Sequence, residues 1–475
     1  MTKTYLFAGL CVAACAVVAP ARGQQANAPA TATAAPGDSA VDAKAAAKAA
    51  KALEREKADL RRKYGEGPYP GELDAFLGNK PEPLKPLLTT LYLGGERNAV
   101  LNLDRVGLAA MEAGEWTLAE HAFDMALTRI EAVYAKNKAA EQAKSLFKKE
   151  SRKDFKGEPY ERAMTYYYRG LLYLRSGDFD NAHAAFSGAL YQDSINLDGE
   201  RGQDFASMNY LAGWASRCAG DGANAREQFD FATKTNPTLI APAPQANTVL
   251  VAELGYGPTK VKGGAKGELL EFRSNTEADE NVVEVRDLSG ATKGAIVPVE
   301  AASLAYQATE RDGRKMDGVL KQKAETKAAM EAAGNTMMQN AMLQSSNPYN
   351  QGGALGGALI GMGLSLFASA ARVDADVRQW DSLPARIMIR ADKIDVARFK
   401  PQAVFRKDGE ARDLKPAGYF LGGNDRCKIA WLRSRSALDR PVATPGEDAG
   451  VAKANAARKD VQLKDKAFRD SLRQL

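Results

Sequence analysis

The sequence predicts an α+β fold, with an N-terminal all-α solenoid of paired helices followed by a smaller β-rich domain that carries an inserted glycine-rich helical hairpin. Three observations predict it. Five positions, held by glycine, alanine and phenylalanine, recur in register three times between positions 107 and 232. Short alternating or β-branched runs dominate after Pro237. Between two sets of those runs, residues 311–372 turn rich in alanine, methionine and glycine. The 475 residues suffice for two or three domains of roughly 100–200 residues each. With 45% apolar and 26% charged residues, the chain can bury a sizeable core.

The repeat is the most specific signal. Gly107, Gly114, Ala119, Phe123 and Ala126 stand at offsets 0, 7, 12, 16 and 19. Gly170, Gly177, Ala182, Phe186 and Ala189 repeat those offsets, as do Gly213, Gly220, Ala225, Phe229 and Ala232, with Pro237 closing the series. This is the tetratricopeptide pattern. Small residues let two antiparallel helices approach, the phenylalanine fills the wedge between helices, and the second glycine supplies the turn. The spacings between copies, 63 and 43 residues, exceed the 34 of a standard repeat. The excess falls in a lengthened helix after Ala126 and in lysine-rich loops, and helices around Leu84–Leu93 are expected to cap the stack.

The N-terminus reads as a secretory signal peptide: Lys3, an uncharged run Tyr5–Ala19, then Pro20 and small residues. Ala21-Arg22-Gly23 suits ordinary cleavage before Gln24, whereas Val12-Ala13-Ala14-Cys15 resembles a lipobox that would make Cys15 the lipidation site. The expected divisions are a signal peptide at 1–23, an alanine-rich leader at 24–83 and the repeat domain at 84–240. The β-rich domain follows in two parts, 241–310 and 373–442, around the hairpin 311–372, and a charged tail, read as a loose helix, ends the chain at 443–475.

The chemistry available is narrow. His121 and His183 are the two histidines, and neither has a Cys, His or carboxylate neighbour at metal-ligand spacing. No HExxH, GxSxG or Walker A motif occurs, and Pro258 removes a backbone donor from the glycine-containing loop 255–264, so neither a catalytic site, a cofactor nor a metal is expected. Net charge +6, spread along the chain, gives no footprint for nucleic acid. Cys218 and Cys427 lack CxxC spacing, and a disulfide and two separate buried thiols both fit them.

Two features point to partners. The first helix of each repeat places Asn102, Arg105, Tyr166, Arg169, Asn209 and Tyr210 as a mixed polar and aromatic groove for a peptide. Gly353, Gly357 and Gly361 form a row on one helix face, which suits close helix packing inside protein or membrane contact. The cluster Asp374, Asp376, Arg378, Trp380 and Pro384 reads as a structural corner, with Asp374 and Arg378 paired if helical and Trp380 anchoring the β domain.

Three stretches carry a resemblance: Gly95-Glu96-Arg97-Asn98, Phe155-Lys156-Gly157-Glu158-Pro159-Tyr160, and Asp376-x-Arg378-x-Trp380-x2-Leu383-Pro384. On these, residues 90–390 resemble a family of uncharacterised bacterial envelope proteins, often lipoproteins, that join tetratricopeptide-like repeats to a C-terminal domain of strands. The resemblance implies no catalytic residues. The expected function is therefore a non-catalytic envelope scaffold, in the periplasm or at the outer membrane, that binds protein or peptide partners through its repeats. The alternative expectation is a membrane-associated oligomer assembled through the glycine row.

Overall fold

A computed structural model describes residues 38–134, 154–194, 204–264, 269–309 and 375–475. The chain up to Asp59 and the chain from Leu60 to Leu475 form two compact units. Of the first unit, the described part belongs to helix α1 (Asp38–Tyr64), rich in Ala, Lys, Glu and Arg. These are strong helix formers, and residues 47–59 are exposed. The signal-peptide residues, Cys15, Asp374, the glycine row Gly353, Gly357 and Gly361, and the rest of the expected hairpin 311–372 lie outside the described residues.

The second unit is α+β. Short α2 (Glu72–Leu77) and α3 (Lys85–Gly94) lead into three helix pairs. They are α4 (Ala99–Ala113) with α5 (Trp116–Tyr134), α6 (Pro159–Ser176) with α7 (Phe179–Ser194), and α8 (Ala206–Ala219) with α9 (Gly222–Thr235). The recurring residues hold each pair together in the same way. A Cβ on Gly107, Gly170 or Gly213 would stand 2.8, 2.7 or 3.0 Å from the ring of Phe123, Phe186 or Phe229, the phenylalanine of its own copy. Only a missing side chain lets the ring sit against the first helix. Each turn glycine takes a left-handed conformation, with φ +76° at Gly114, +80° at Gly177 and +97° at Gly220. After each one, the next amide closes back on the helix over 2.9 Å: Glu115 N–H to Ala110, Asp178 to Tyr173, Asp221 to Ser216. The same glycine stop is thus used three times.

After Pro237 the chain forms strands β1 (Thr248–Leu254), β2 (Thr259–Gly263), β3 (Leu269–Arg273), β4 (Val282–Asp287), β5 (Ala295–Ile296) and β6 (Val299–Ser303). A one-and-a-half-turn α10 (Leu304–Thr309) follows. Strands β7 (Arg386–Asp392), β8 (Pro401–Lys407), β9 (Glu410–Ala411), β10 (Gly418–Gly423) and β11 (Lys428–Arg433) complete the sheets. A five-stranded sheet has the order β10-β11-β1-β7-β6, with β1 and β11 parallel and the other pairs antiparallel. A four-stranded sheet has the order β5-β4-β8-β9, and β2 and β3 form a separate hairpin.

Side-chain alternation makes the five-stranded sheet a middle layer. Val249, Val251, Ile387, Ile389, Ile429 and Trp431 join the core of the helices. Their neighbours Leu250, Ala252, Met388, Ala430 and Leu432 join a second core with Val283, Val285 and Phe405 of the four-stranded sheet. A disulfide between Cys218 on α8 and Cys427 before β11, with Cα atoms 5.7 Å apart, ties helices to sheet.

The C-terminal residues correct the expected loose helix. They form α11 (Ala449–Ala456) and α12 (Lys459–Ser471), and α12 is docked. Phe468 and Leu472 are each 1% exposed, Asp465 accepts the Glu96 amide at 2.9 Å, and the Arg129 guanidinium lies over the Phe468 ring at 5.0 Å.

Candidate functional site

The three stretches that carried the resemblance converge on one buried spot between the helices and the strands. The Phe155 amide donates to the Arg97 carbonyl at 2.7 Å. Arg378 donates to the same carbonyl at 3.3 Å and to the Asn98 side chain at 2.8 Å. The Phe155 ring lies 5.5 Å from both the Arg378 guanidinium and the Lys260 ammonium. Glu161 joins the stretches electrostatically. It closes a capping box at the start of α6 with Glu158, pairs with Lys260, and accepts the Trp380 amide at 2.9 Å.

At the corner 376–384, Arg378 pairs with Asp376, two residues back in irregular chain, and the pairing expected with Asp374 lies outside the described residues. Trp380 packs on Phe123 and Tyr168 of the helices, at 6.4 and 5.5 Å between ring centres, in the core that also takes in Val249, Val251 and Ile387 of the strands.

Next to this spot a second polar group seals the helices to the middle sheet. Glu253 of β1 accepts hydrogen bonds from Tyr167 at 3.0 Å, Tyr168 at 2.9 Å and the Trp431 indole at 2.9 Å. Arg433 stands 3.2 Å from Glu253 and 3.2 Å from Glu112, and donates to the Ser382 carbonyl at 2.7 Å. One guanidinium thus faces two carboxylates with no water-exposed edge. Burial holds both carboxyls above the usual glutamate value, against the pull of Arg433.

Of the expected groove residues, Asn102, Arg105, Arg169, Asn209 and Tyr210 are buried, and Tyr166 is half-buried. Residues 436–447 run antiparallel along α4 as an irregular strap, with a 3-10 turn at Ala437–Asp439 and a second turn closed by the Glu447 amide on the Thr444 carbonyl at 3.2 Å. Ser436 and Ala437 bond Glu112 at the far end of α4. Arg105 donates to the carbonyls of Pro441, Val442 at 3.3 Å and Ala443 at 3.2 Å, and faces Asp381 at 3.5 Å. Asn102 meets the Thr444 hydroxyl at 3.3 Å. Glu447 reaches Arg97 and, at 2.9 Å, Asn98. Elsewhere Tyr210 donates to the Ile240 carbonyl at 3.0 Å, Asn209 is buried, and Arg169 pairs with Asp124 at 2.7 Å while stacking on Tyr173. Tyr166 is half-buried and donates to Glu131 at 2.9 Å. The physical reason is that a polar side chain on an otherwise apolar helix needs a partner when buried: later segments supply it for Asn102, Arg105 and Tyr210, and the preceding helix supplies it for Arg169 and Tyr166.

Sequence reasoning missed Arg97, Glu161, Lys260 and Glu447 as members of the site. One signal could have found part of it: Asn98, Asn102, Arg105 and Glu112 follow helical spacing along a single face of α4. Among the described residues, no group of three or more His, Cys, Asp or Glu side chains is placed to hold a metal, and no helix is long and apolar enough to cross a membrane. Comparison of the chain with protein-family models, with curated proteins and with solved structures finds no match.

Proposed function

We propose that the chain is a non-catalytic adaptor of the bacterial envelope, whose helix pairs are tetratricopeptide-like repeats that hold a protein or peptide partner. The observation that carries this reading is the threefold recurrence of one contact, a first-helix glycine seated on the phenylalanine of its own second helix, with the same left-handed stop between them. Stacked helix pairs of this kind present extended surfaces suited to chains rather than to small substrates.

The Cys218–Cys427 disulfide supports a compartment outside the reducing cytosol, in line with the signal-peptide order of residues 1–23. Contact among the three family-like stretches supports the envelope-family reading, because it gives those residues a joint role in fastening helices to strands. For the alternative reading, a membrane-associated oligomer, support comes from the sequence row of Gly353, Gly357 and Gly361 alone.

Photo-crosslinking from Tyr166, the half-buried member of the expected groove, tests the adaptor reading. A discrete crosslinked envelope protein is expected. Crosslinks distributed without a defined partner would overturn it. Intact mass of the mature chain decides between a Gln24 terminus and an acylated Cys15. Replacing the three glycines by leucine is expected to abolish detergent-resistant assembly if the oligomer reading holds.

A further inference from the structure

Resting on the adaptor reading, and naming its partner more closely, we propose that the strap at 436–447 is a built-in stand-in for the ligand. The face of α4 beneath it binds an acidic peptide of a partner protein, with a hydroxyl residue followed three positions later, across a turn, by a carboxylate.

The argument starts from an asymmetry of burial. Arg97, Asn98, Asn102 and Arg105 are 7, 4, 1 and 2% exposed. The strap above them contributes no buried residue from Leu438 to Glu447. Leu438 and Val442 are 39% and 44% exposed, so the strap has no apolar anchor. What holds it is polar and of a kind a foreign peptide can reproduce. Arg105 reads three consecutive main-chain carbonyls, which every peptide carries, and Thr90 donates to the middle one at 2.9 Å. Asn102 reads the hydroxyl of Thr444, and Arg97 with Asn98 reads the carboxylate of Glu447.

Charge points the same way. The surroundings hold the cations Arg97, Arg105, Lys260 and Arg378, with the carboxylates Glu161, Asp376 and Asp381 beside them. Glu447 leaves with the strap, and so does Arg440, which pairs with Asp381 at 3.4 Å. The opened face then keeps four cations against three carboxylates and favours a ligand that brings a carboxylate to Arg97.

Both ends of the strap are fastened independently of its middle. Ala437 is buried and bonded to Glu112, and α12 is docked through Phe468. Opening is thus local, and the tether gives the strap a high effective concentration against a competitor. A ligand in trans needs a weakened strap to be seen.

The test uses the full chain with Thr444→Ala and Glu447→Gln, and a fluorescent synthetic peptide with the sequence of residues 438–448, read by anisotropy. The variant is expected to bind this peptide about threefold to sixfold more tightly than the unaltered chain does, the upper figure being what release of a strap docked by about 1 kcal/mol allows. A peptide with Gln in place of its glutamate should lose about tenfold or more, the worth of a charge-assisted hydrogen bond. Equal binding of the native-sequence and scrambled peptides by the variant would overturn the proposal. So would a shift of the variant to a dimer on size exclusion, which would make a second copy of this chain the occupant. Should the double variant fold poorly, Glu447→Gln alone removes one charge and no bulk, and the ranking of the three peptides is still expected. A Tyr166 crosslink that persists while the peptide ranking fails would refute the strap and leave the adaptor reading standing.

Discussion

Two of the polar contacts through which the helical half and the C-terminal half of the molecule meet are built differently. At Glu253 every partner is sealed: Tyr167, Tyr168, Trp431 and Arg433 surround one carboxylate, and each is at most 1% exposed. Along α4 the floor is sealed while the strap above it faces water. The first contact cannot be opened without exposing the apolar face of the middle sheet, so it reports on global unfolding. The second can be lifted with little apolar surface exposed, so it reports on local opening. Equal numbers of hydrogen bonds therefore do not mean equal permanence, and burial of both partners is what separates a fastening from a latch.

The largest expected effect breaks the sealed contact. Glu253→Gln keeps the shape but leaves the Tyr167, Tyr168 and Trp431 donors on a weaker acceptor and removes one carboxylate from Arg433. A loss of about 3–5 kcal/mol is expected in urea unfolding. Its pH dependence sharpens the comparison. The folded values of Glu112 and Glu253 lie above 4.5, so their joint contribution is fully present below about 4.5 and is lost as pH rises through the raised value. Glu112→Gln, which leaves one carboxylate to one guanidinium, should flatten that fall in melting experiments across the same range. An unchanged slope would mean that the two carboxylates do not compete for Arg433.

Next in size is the covalent tie. Cys218→Ser with Cys427→Ser reopens a loop of 209 residues in the unfolded chain, and about 2–4 kcal/mol of stability should go with it. Smaller again is Gly170→Ala. Its Cβ would fall 2.7 Å from the Phe186 ring, so the pair must separate, at a cost of about 1–3 kcal/mol. Phe186→Leu in the same chain should return part of that loss, which distinguishes crowding from a change in helix propensity.

What the sequence made legible follows from how local each signal is. The glycine, alanine and phenylalanine positions were readable because each contact lies within one copy, at fixed offset. Strand runs such as Thr248–Leu254 and Lys428–Arg433 were readable from their apolar content, yet their parallel pairing joins residues about 180 positions apart and left no local trace. The same distance hid the site. Arg97, Phe155, Glu161, Lys260 and Arg378 lie far apart in sequence, and although three of them fall in the stretches singled out above, nothing local says that they meet. The strap was hidden in the same way. Residues 436–442 read as the end of the β-rich domain and 443–447 as the start of a charged tail, because the hydrogen bonds of the strap go to a helix more than 300 residues earlier.

The smallest expected effect separates latch from fastening most cleanly. Glu447→Gln removes the charge that meets Arg97 and Asn98, and Arg97 is nearly as buried as the members of the sealed contact. Counted as a buried ion pair, the change should cost as much as Glu253→Gln. Counted as part of a strap that can lift, it cannot: once the strap is off, water reaches Arg97, and the loss stops at the free energy that docked the strap. Held by polar contacts and without a buried side chain of its own, that docking is worth about 1 kcal/mol or less. The expected outcome is a urea midpoint nearly unchanged, together with faster cleavage of the strap by a nonspecific protease. A midpoint shift matching that of Glu253→Gln would show that the strap does not open short of global unfolding, and the distinction between the two contacts would fall with it.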